Sequence, residues 1–401
     1  MSGNVTTTAF ELPARAAAWP AELRAMAGLL RVALGTAGPE TIFPWPAQLK
    51  PDAFLAAVTR HRVGAFLHQR LPAELRWRLP PTIQTQLENT ARRTAQLALV
   101  RSAELVRLAG LFRAAGVPFI SVKGPLLAQA LYGGVGVRHA GDLDLLIHPD
   151  RLAVADEALR RAGYRRSLPD FDLTPRQWSE FQRLKHEFEY FNDVTQVRIE
   201  VEWRLEGLAG QPFADWLARG RRETLGGEEI VRLPTETEFF YLFVHGAGHG
   251  WFRLFWLVDV ALLLMREGVD WAALIRAARA SRVEAHVWQG ARLAEMLLQI
   301  PLPDALRVPV SQAVRVDWLT NEALGAMSAC ETGRKGLPEL FRQTRYQLHL
   351  RQGWPAKAAV LRPRLMSPAN WKMLRLSDRW FALYYLAAPF LWLIRRLDPN
   401  R

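Results

Sequence analysis

Between Val117 and Ile147 two short β-type runs enclose one helical run, and each β-type run carries charge at one end. The first, Val117 to Val122, stops at Lys123-Gly124-Pro125, and proline fits the first position of a helix. Leu126, Leu127, Ala130 and Leu131 then recur at helical spacing until Tyr132-Gly133-Gly134 ends the run. The second, Leu143 to Ile147, opens on Asp142-Leu143-Asp144. Carboxylates at i and i+2 of a strand share one face, ~6.5–7 Å apart along the backbone. Two acids aimed into one space repel unless a cation lies between them, so the pattern predicts a divalent-metal site of hard oxygen ligands.

The flanking chain places this unit. Leu23 to Leu34 has helical periodicity and stops at Gly35, and Pro39 to Pro51 connects it to a second helix, Ala53 to Leu71. After Pro80-Pro81, Ile83 to Ala115 reads as one long helix interrupted only at Gly110. Residues 1–19 read as a loose arm. Arg151 to Ala162 is a helix with Asp150 at its N-cap, and Thr174 to Lys185 is a shorter one. His186 to Phe191 and Val197 to Leu205 alternate around a turn-like Asn192-Asp193, which predicts a hairpin. In its second strand Ile199, Val201 and Trp203 face one way, while Glu200, Glu202 and Arg204 face the other. One side is core and the other a cleft, which supplies a third carboxylate. From Pro234 onward helices dominate. The expected fold class is therefore α+β and α-rich. A helical region (1–115) precedes a small mixed sheet (116–206), and a second helical region with an apolar tail follows (207–401).

Strand, Lys-Gly, helix, Arg138-x-x-Gly-Asp142-x-Asp144 and a helix ending at Gly163-Tyr164 together resemble the polymerase-β-type nucleotidyltransferase superfamily. The likeness is greatest to a bacterial branch in which Lys-Gly stands where the superfamily usually has Gly-Ser or Gly-Gly. That branch carries an acidic residue on a later strand, then a polar residue and Trp, matched here by Glu200-Val-Glu202-Trp203. Its usual residue at position 202 is His, so this chain departs there. His245, His249 and Asp259 match its spaced histidines and an Asp opening a helix.

The resemblance implies transfer of a nucleoside monophosphate from a nucleoside triphosphate, ATP included, to an acceptor. The mechanism would be an in-line, two-metal displacement of pyrophosphate. Asp142, Asp144 and Glu200 would be the catalytic metal ligands for Mg2+ or Mn2+, and Glu200 would help remove the acceptor proton. Lys123, Gly124 and Arg138 would bind the nucleotide. Lys123 and Arg138 would neutralise phosphate charge, and the glycine at the helix start would let backbone amides approach it. Glu202, His245, His249 and Asp259 would line the cleft, with Asp259 capping the helix or pairing with a histidine. Two readings compete: a degenerate nucleotide-binding or scaffolding protein of the same fold, and a metal-dependent glycosyltransferase, which also uses Asp-x-Asp. Some 100 helical residues before the first strand argue against the second.

Composition bears on partners. The net charge of +13 is carried mostly by arginine, because lysine occurs only at 50, 123, 185, 335, 357 and 372. Basic residues are scattered, which argues against nucleic acid as the acceptor and leaves protein, peptide, sugar or small molecule. One cysteine, Cys330, excludes an internal disulfide and a thiolate zinc site and fits a reducing cytoplasm. The N-terminal residues have no signal-peptide pattern, so a cytoplasmic location is expected. The tail, Trp380 to Ile394, spans only ~22 Å as a helix, short of the ~30 Å hydrocarbon core. Its aromatics and flanking arginines allow a peripheral contact of residues 378–401 with the inner membrane surface.

Overall fold

The computed structural model describes residues 14–43, 45–208, 212–329 and 336–397; residues 1–13 of the expected arm and Cys330 lie outside them. Residues 14–19 belong to the fold instead, because Trp19 is buried and its indole N–H donates to Leu324 O at 3.1 Å. Most helices form where apolar spacing predicts them. Pro81–Ala114 runs unbroken through Gly110 and delivers the chain to the sheet. The expected helix 53–71 is two, Pro51–His61 and Gly64–Arg70, split where Arg62 takes a left-handed conformation. Asp150 is not an N-cap. It lies in a short 3-10 turn before the helix Leu152–Arg161. Pro175–Leu184 opens with a capping box between Thr174 and Gln177.

Seven strands make one mixed sheet: β1 (Phe119–Ser121), β2 (Leu143–Ile147), β3 (Tyr164–Leu168), β4 (Glu187–Asn192), β5 (Val197–Glu202), β6 (Arg221–Leu225) and β7 (Glu228–Arg232). The order is β3-β4-β5-β2-β1-β7-β6, with β2/β5 and β1/β7 parallel and the other neighbours antiparallel. The fold is thus α+β and helix-rich, as the sequence predicts. The strands it leaves unread are β3, β6 and β7, and β6 and β7 continue the sheet beyond residue 206. β3 and β6 are edge strands built largely of arginine and polar residues, so they lack an apolar alternation. Ion pairs stand in for it, Arg222–Glu229 and Arg232–Glu223 among them.

The sheet separates two cores. Behind it Leu143, Leu145, Ile147, Ile199 and Val201 pack with the C-terminal half of Pro81–Ala114, with Phe181 and with Tyr384 of the tail. In front, Ile120, Val122 and Leu146 join a core shared by helices from both ends of the chain. Arg31 Nε donates to Leu297 O at 2.7 Å across that core, and Arg60 Nη2 to Ala326 O at 2.9 Å. Burying such donors requires acceptors, so these bonds fix the register of the two helical regions.

Candidate active site

The parallel register of β2 and β5 sets Asp144 opposite Glu200 and Leu146 opposite Glu202. Because side chains alternate, Ile199 and Val201 enter the rear core while Glu200 and Glu202 point forward with Asp144. β4 extends the row, with Glu189 opposite Glu200 and Glu187 opposite Glu202. One ligand atom from each of Asp144, Glu200 and Glu202 lies within 4.8 Å of the others. Asp144 and Glu202 are each only 2% exposed, and Glu200 is half-buried. Asp142 stands in the bend before β2, half-buried and outside that trio. The structure thus brings together two of the expected acids, Asp144 and Glu200, and adds Glu202.

Burying like charges together is costly. Burial, reinforced by Asp144, Asp142 and Glu187, pushes the Glu200 carboxyl up to about 10. Burial and Asp144 push Glu202 up to about 8, and burial raises Asp144 against the pull of Lys123. Lys123 supplies the compensating charge, its Nζ lying 2.9 Å from Asp144 Oδ1. Burial alone would pull this ammonium down. Asp144, Asp142, Glu202 and Glu200 outweigh it and hold the group charged. Lys123 Nζ also lies 3.5 Å from His245 Nδ1 and 5.6 Å from the centre of the Tyr241 ring. Tyr241 O–H donates to Glu202 Oε1 at 3.3 Å, whereas Glu202 Oε2 has no hydrogen-bond partner among the described residues. A buried carboxyl oxygen without a partner, beside two further acids whose charge burial and mutual repulsion suppress, is a donor set that fits a divalent cation, which would let the acids ionise.

Gly124 joins β1 to the helix Pro125–Tyr132 with φ 80° and ψ −148°, a region open to essentially glycine alone. A Cβ there would meet only Leu143 Cδ2, at 3.6 Å, so the requirement is conformational rather than one of space. Pro125 has no N–H, so the first amides of that helix are those of Leu126 and Leu127, at the helix end that favours an anion.

Arg138 is placed otherwise than the sequence suggests. Its Nε and Nη2 donate to Asp259 Oδ1 and Oδ2 at 2.9 and 2.8 Å, and Tyr132 O–H donates to the same carboxylate. The pair is almost wholly buried, and Phe255 lies under the guanidinium. Asp259 lies inside the helix Leu254–Leu264, not at its start, and its partner is an arginine rather than a histidine. His245 and His249 do share a face, their ring centres 4.6 Å apart. Burial and then Lys123 hold His245 well below the ordinary histidine range, so it is a neutral neighbour of the ammonium. His249 is exposed on its outer side and stacks on Trp256.

Sequence reading leaves three lining residues unassigned, His186, Glu187 and Tyr241. The alternation Glu187-Phe-Glu189-Tyr in β4 carries the signal for Glu187, because it puts both glutamates on the face of Glu200. Tyr241 had none, since it lies among apolar residues of an ordinary helical run.

A family model described as an uncharacterised nucleotidyltransferase matches residues 47–299. No curated protein and no solved structure matches the chain.

Proposed function

The chain belongs to that nucleotidyltransferase family, and from this premise we propose that it transfers a nucleoside monophosphate from a nucleoside triphosphate to an acceptor hydroxyl or amine. The observation that carries this reading is the convergence of Asp144, Glu200 and Glu202 beside a glycine-initiated helix. Asp144, Glu200 and Glu202 would hold a divalent cation, Mg2+ or Mn2+, with Asp142 at the edge of the cluster to add a ligand. When bound, that cation supplies charge neutralisation for the triphosphate and for the attacking oxygen.

The remaining roles belong to the chain. The amides of Leu126 and Leu127, the first N–H groups of Pro125–Tyr132, would receive a phosphate oxygen, which Gly124 permits by its backbone conformation. Lys123, already charged and within reach of the trio, would stabilise negative charge that grows on the departing pyrophosphate. Glu200, the least buried of the three acids, would release its own proton when the cation is held and, as carboxylate, would accept the acceptor's proton as its oxygen or nitrogen attacks the α-phosphorus. The bond from that phosphorus to the β-phosphate bridging oxygen breaks as the new one forms. Arg138 would act through Asp259 and Tyr132 as a clamp that holds the Asp142 loop against the helix Leu254–Leu264.

One observation favours a second reading. The Lys123 ammonium sits where it balances the carboxylates by itself, as in a fold that binds nucleotide without turning it over. Incubation with each labelled nucleoside triphosphate, Mg2+ or Mn2+ and a lysate separates the two. Cation-dependent label transfer or pyrophosphate release is expected, and it should disappear in Asp144→Ala and Glu200→Ala. Nucleotide binding with no turnover under any of these conditions would support the silent protein instead.

A further inference from the structure

The C-terminal helix Leu383–Leu397 contributes none of the residues gathered at the candidate site, and it is apolar on two sides. Tyr384, Ala388 and Leu391 are buried, Tyr384 within the rear core. Leu383, Leu386, Phe390, Leu393 and Ile394 fall at i, i+3, i+7, i+10 and i+11, a single stripe, and all are exposed, Leu386 and Phe390 by 72% and 70%. From Leu383 to Ile394 the helix has no charged residue at all. Trp380 and Tyr385, each about half exposed, border the stripe. No helix among the described residues is long and apolar enough to cross a membrane.

Charge says what covers this stripe. Basic residues are scattered along the chain but acids are not: residues 351–401 contain ten Lys or Arg against only two acids, Asp378 and Asp398, and two of the ten pair with acids outside the segment, Arg351 with Glu206 and Lys372 with Asp170. Asp378 is exposed but already engaged, accepting from Thr174 Oγ1 and from the Arg176 N–H. Arg362, Arg375 and Arg379 are exposed. A second copy of the chain would bring the same positive charge against itself. An anionic lipid surface answers both properties, taking the apolar stripe below its headgroups and the arginines among its phosphates.

We propose that the helix Leu383–Leu397 lies flat in the interface of an anionic bilayer, with Leu386 and Phe390 inserted and the flanking arginines on lipid phosphates. The surface is independent of the acidic trio and of any turnover there. The test is co-sedimentation of the full chain with vesicles of phosphatidylcholine alone or with about a third phosphatidylglycerol. Binding to the anionic vesicles should be at least about tenfold stronger and should fall steeply with added salt. Phe390→Glu with Leu386→Glu should abolish it, and so should Arg375→Glu with Arg379→Glu, while circular dichroism stays that of the parent. All of these positions are exposed, so either pair is expected to fold. Equal binding to both vesicle types would overturn the charge argument. Concentration-dependent dimers in sedimentation velocity, abolished by the Phe390 pair and without vesicle binding, would assign the stripe to a second copy and sink the proposal.

Discussion

Lys123 and Glu202 sit on opposite sides of one electrostatic balance, so their substitutions should have opposite signs. Lys123→Met leaves Asp144 buried without its cation, and breaking a buried pair by removing one partner costs about 3 kcal/mol or more. Glu202→Gln replaces a carboxyl that burial and Asp144 already hold largely protonated, and whose second oxygen has no partner, so without metal its denaturation midpoint should equal or exceed that of the parent. The same variant should lose the stabilisation that Mg2+ or Mn2+ gives, which mass action puts at about 2.7 kcal/mol at a hundredfold excess over Kd. Thermal melts in chelator and in each cation read both effects. A Glu202→Gln protein still stabilised by the cation as much as the parent would remove Glu202 from the donor set. At Gly124 the strain of a non-glycine residue amounts to about 1–3 kcal/mol. Gly124→Ala should therefore melt lower, and it should weaken nucleotide binding by more than Leu126→Ala does. Asp144 and Glu200 were legible in the sequence because strand alternation alone puts them on one face. Glu202 satisfied the same alternation and was read as a cleft residue, because the resemblance places the metal-binding acid two residues earlier, at Glu200. The pairing of Arg138 with Asp259 was not legible, because a partner 121 residues away leaves no local trace.

Among the elements, the helix Thr235–Gly248 shows where local propensity yields to packing. His245-Gly-Ala-Gly-His249 reads as a break between helices, since each glycine costs about 1 kcal/mol in a helix interior. The helix nevertheless runs to Gly248, because Trp251 folds back over it. A Cβ on Gly246 would lie 2.3–2.7 Å from that indole, which is itself fully buried and hydrogen-bonded through Nε1 to Gln289. Gly246→Ala thus sets a propensity gain of about 1 kcal/mol against overpacking of about 1–3 kcal/mol at a site with no slack. Overpacking should win, giving a lower urea midpoint with unchanged slope. A more stable variant would mean that Trp251 does not occupy this position. The strands divide by the same logic. β1, β2, β4 and β5 carry an apolar face and were legible, whereas β3 and β6 are polar edges held by ion pairs. The hairpin β6–β7 did leave one readable sign, Gly226-Gly227 with both φ positive, the composition that a two-residue turn demands.

Across the whole molecule, helices from the two ends of the chain share the front core, and a buried histidine at their seam makes that packing sensitive to pH. His61 is 1% exposed, and its Nδ1 accepts the Leu254 N–H at 3.1 Å, 193 residues away in sequence. An imidazole that accepts through Nδ1 cannot also carry a proton there. Burial first, then Arg60 and Arg253, push the group down to about 3, against 6.5 when unfolded. The unfolded chain therefore binds a proton that the folded chain refuses between those values. Stability is fully present above about pH 6.5 and is lost as the pH falls toward 3. The slope is about 1.4 kcal/mol per pH unit, and the total is on the order of 4–5 kcal/mol. His139 and His286, also held down to about 3 by burial, add to the same trend. Urea midpoints measured from pH 7 to pH 4 should fall accordingly. In His61→Asn the amide oxygen can take the Leu254 bond without titrating, so the decline should flatten by about one proton's worth. A slope identical to the parent's would mean that His61 is protonated in the folded chain and that the seam between the two helical regions is not closed through its Nδ1.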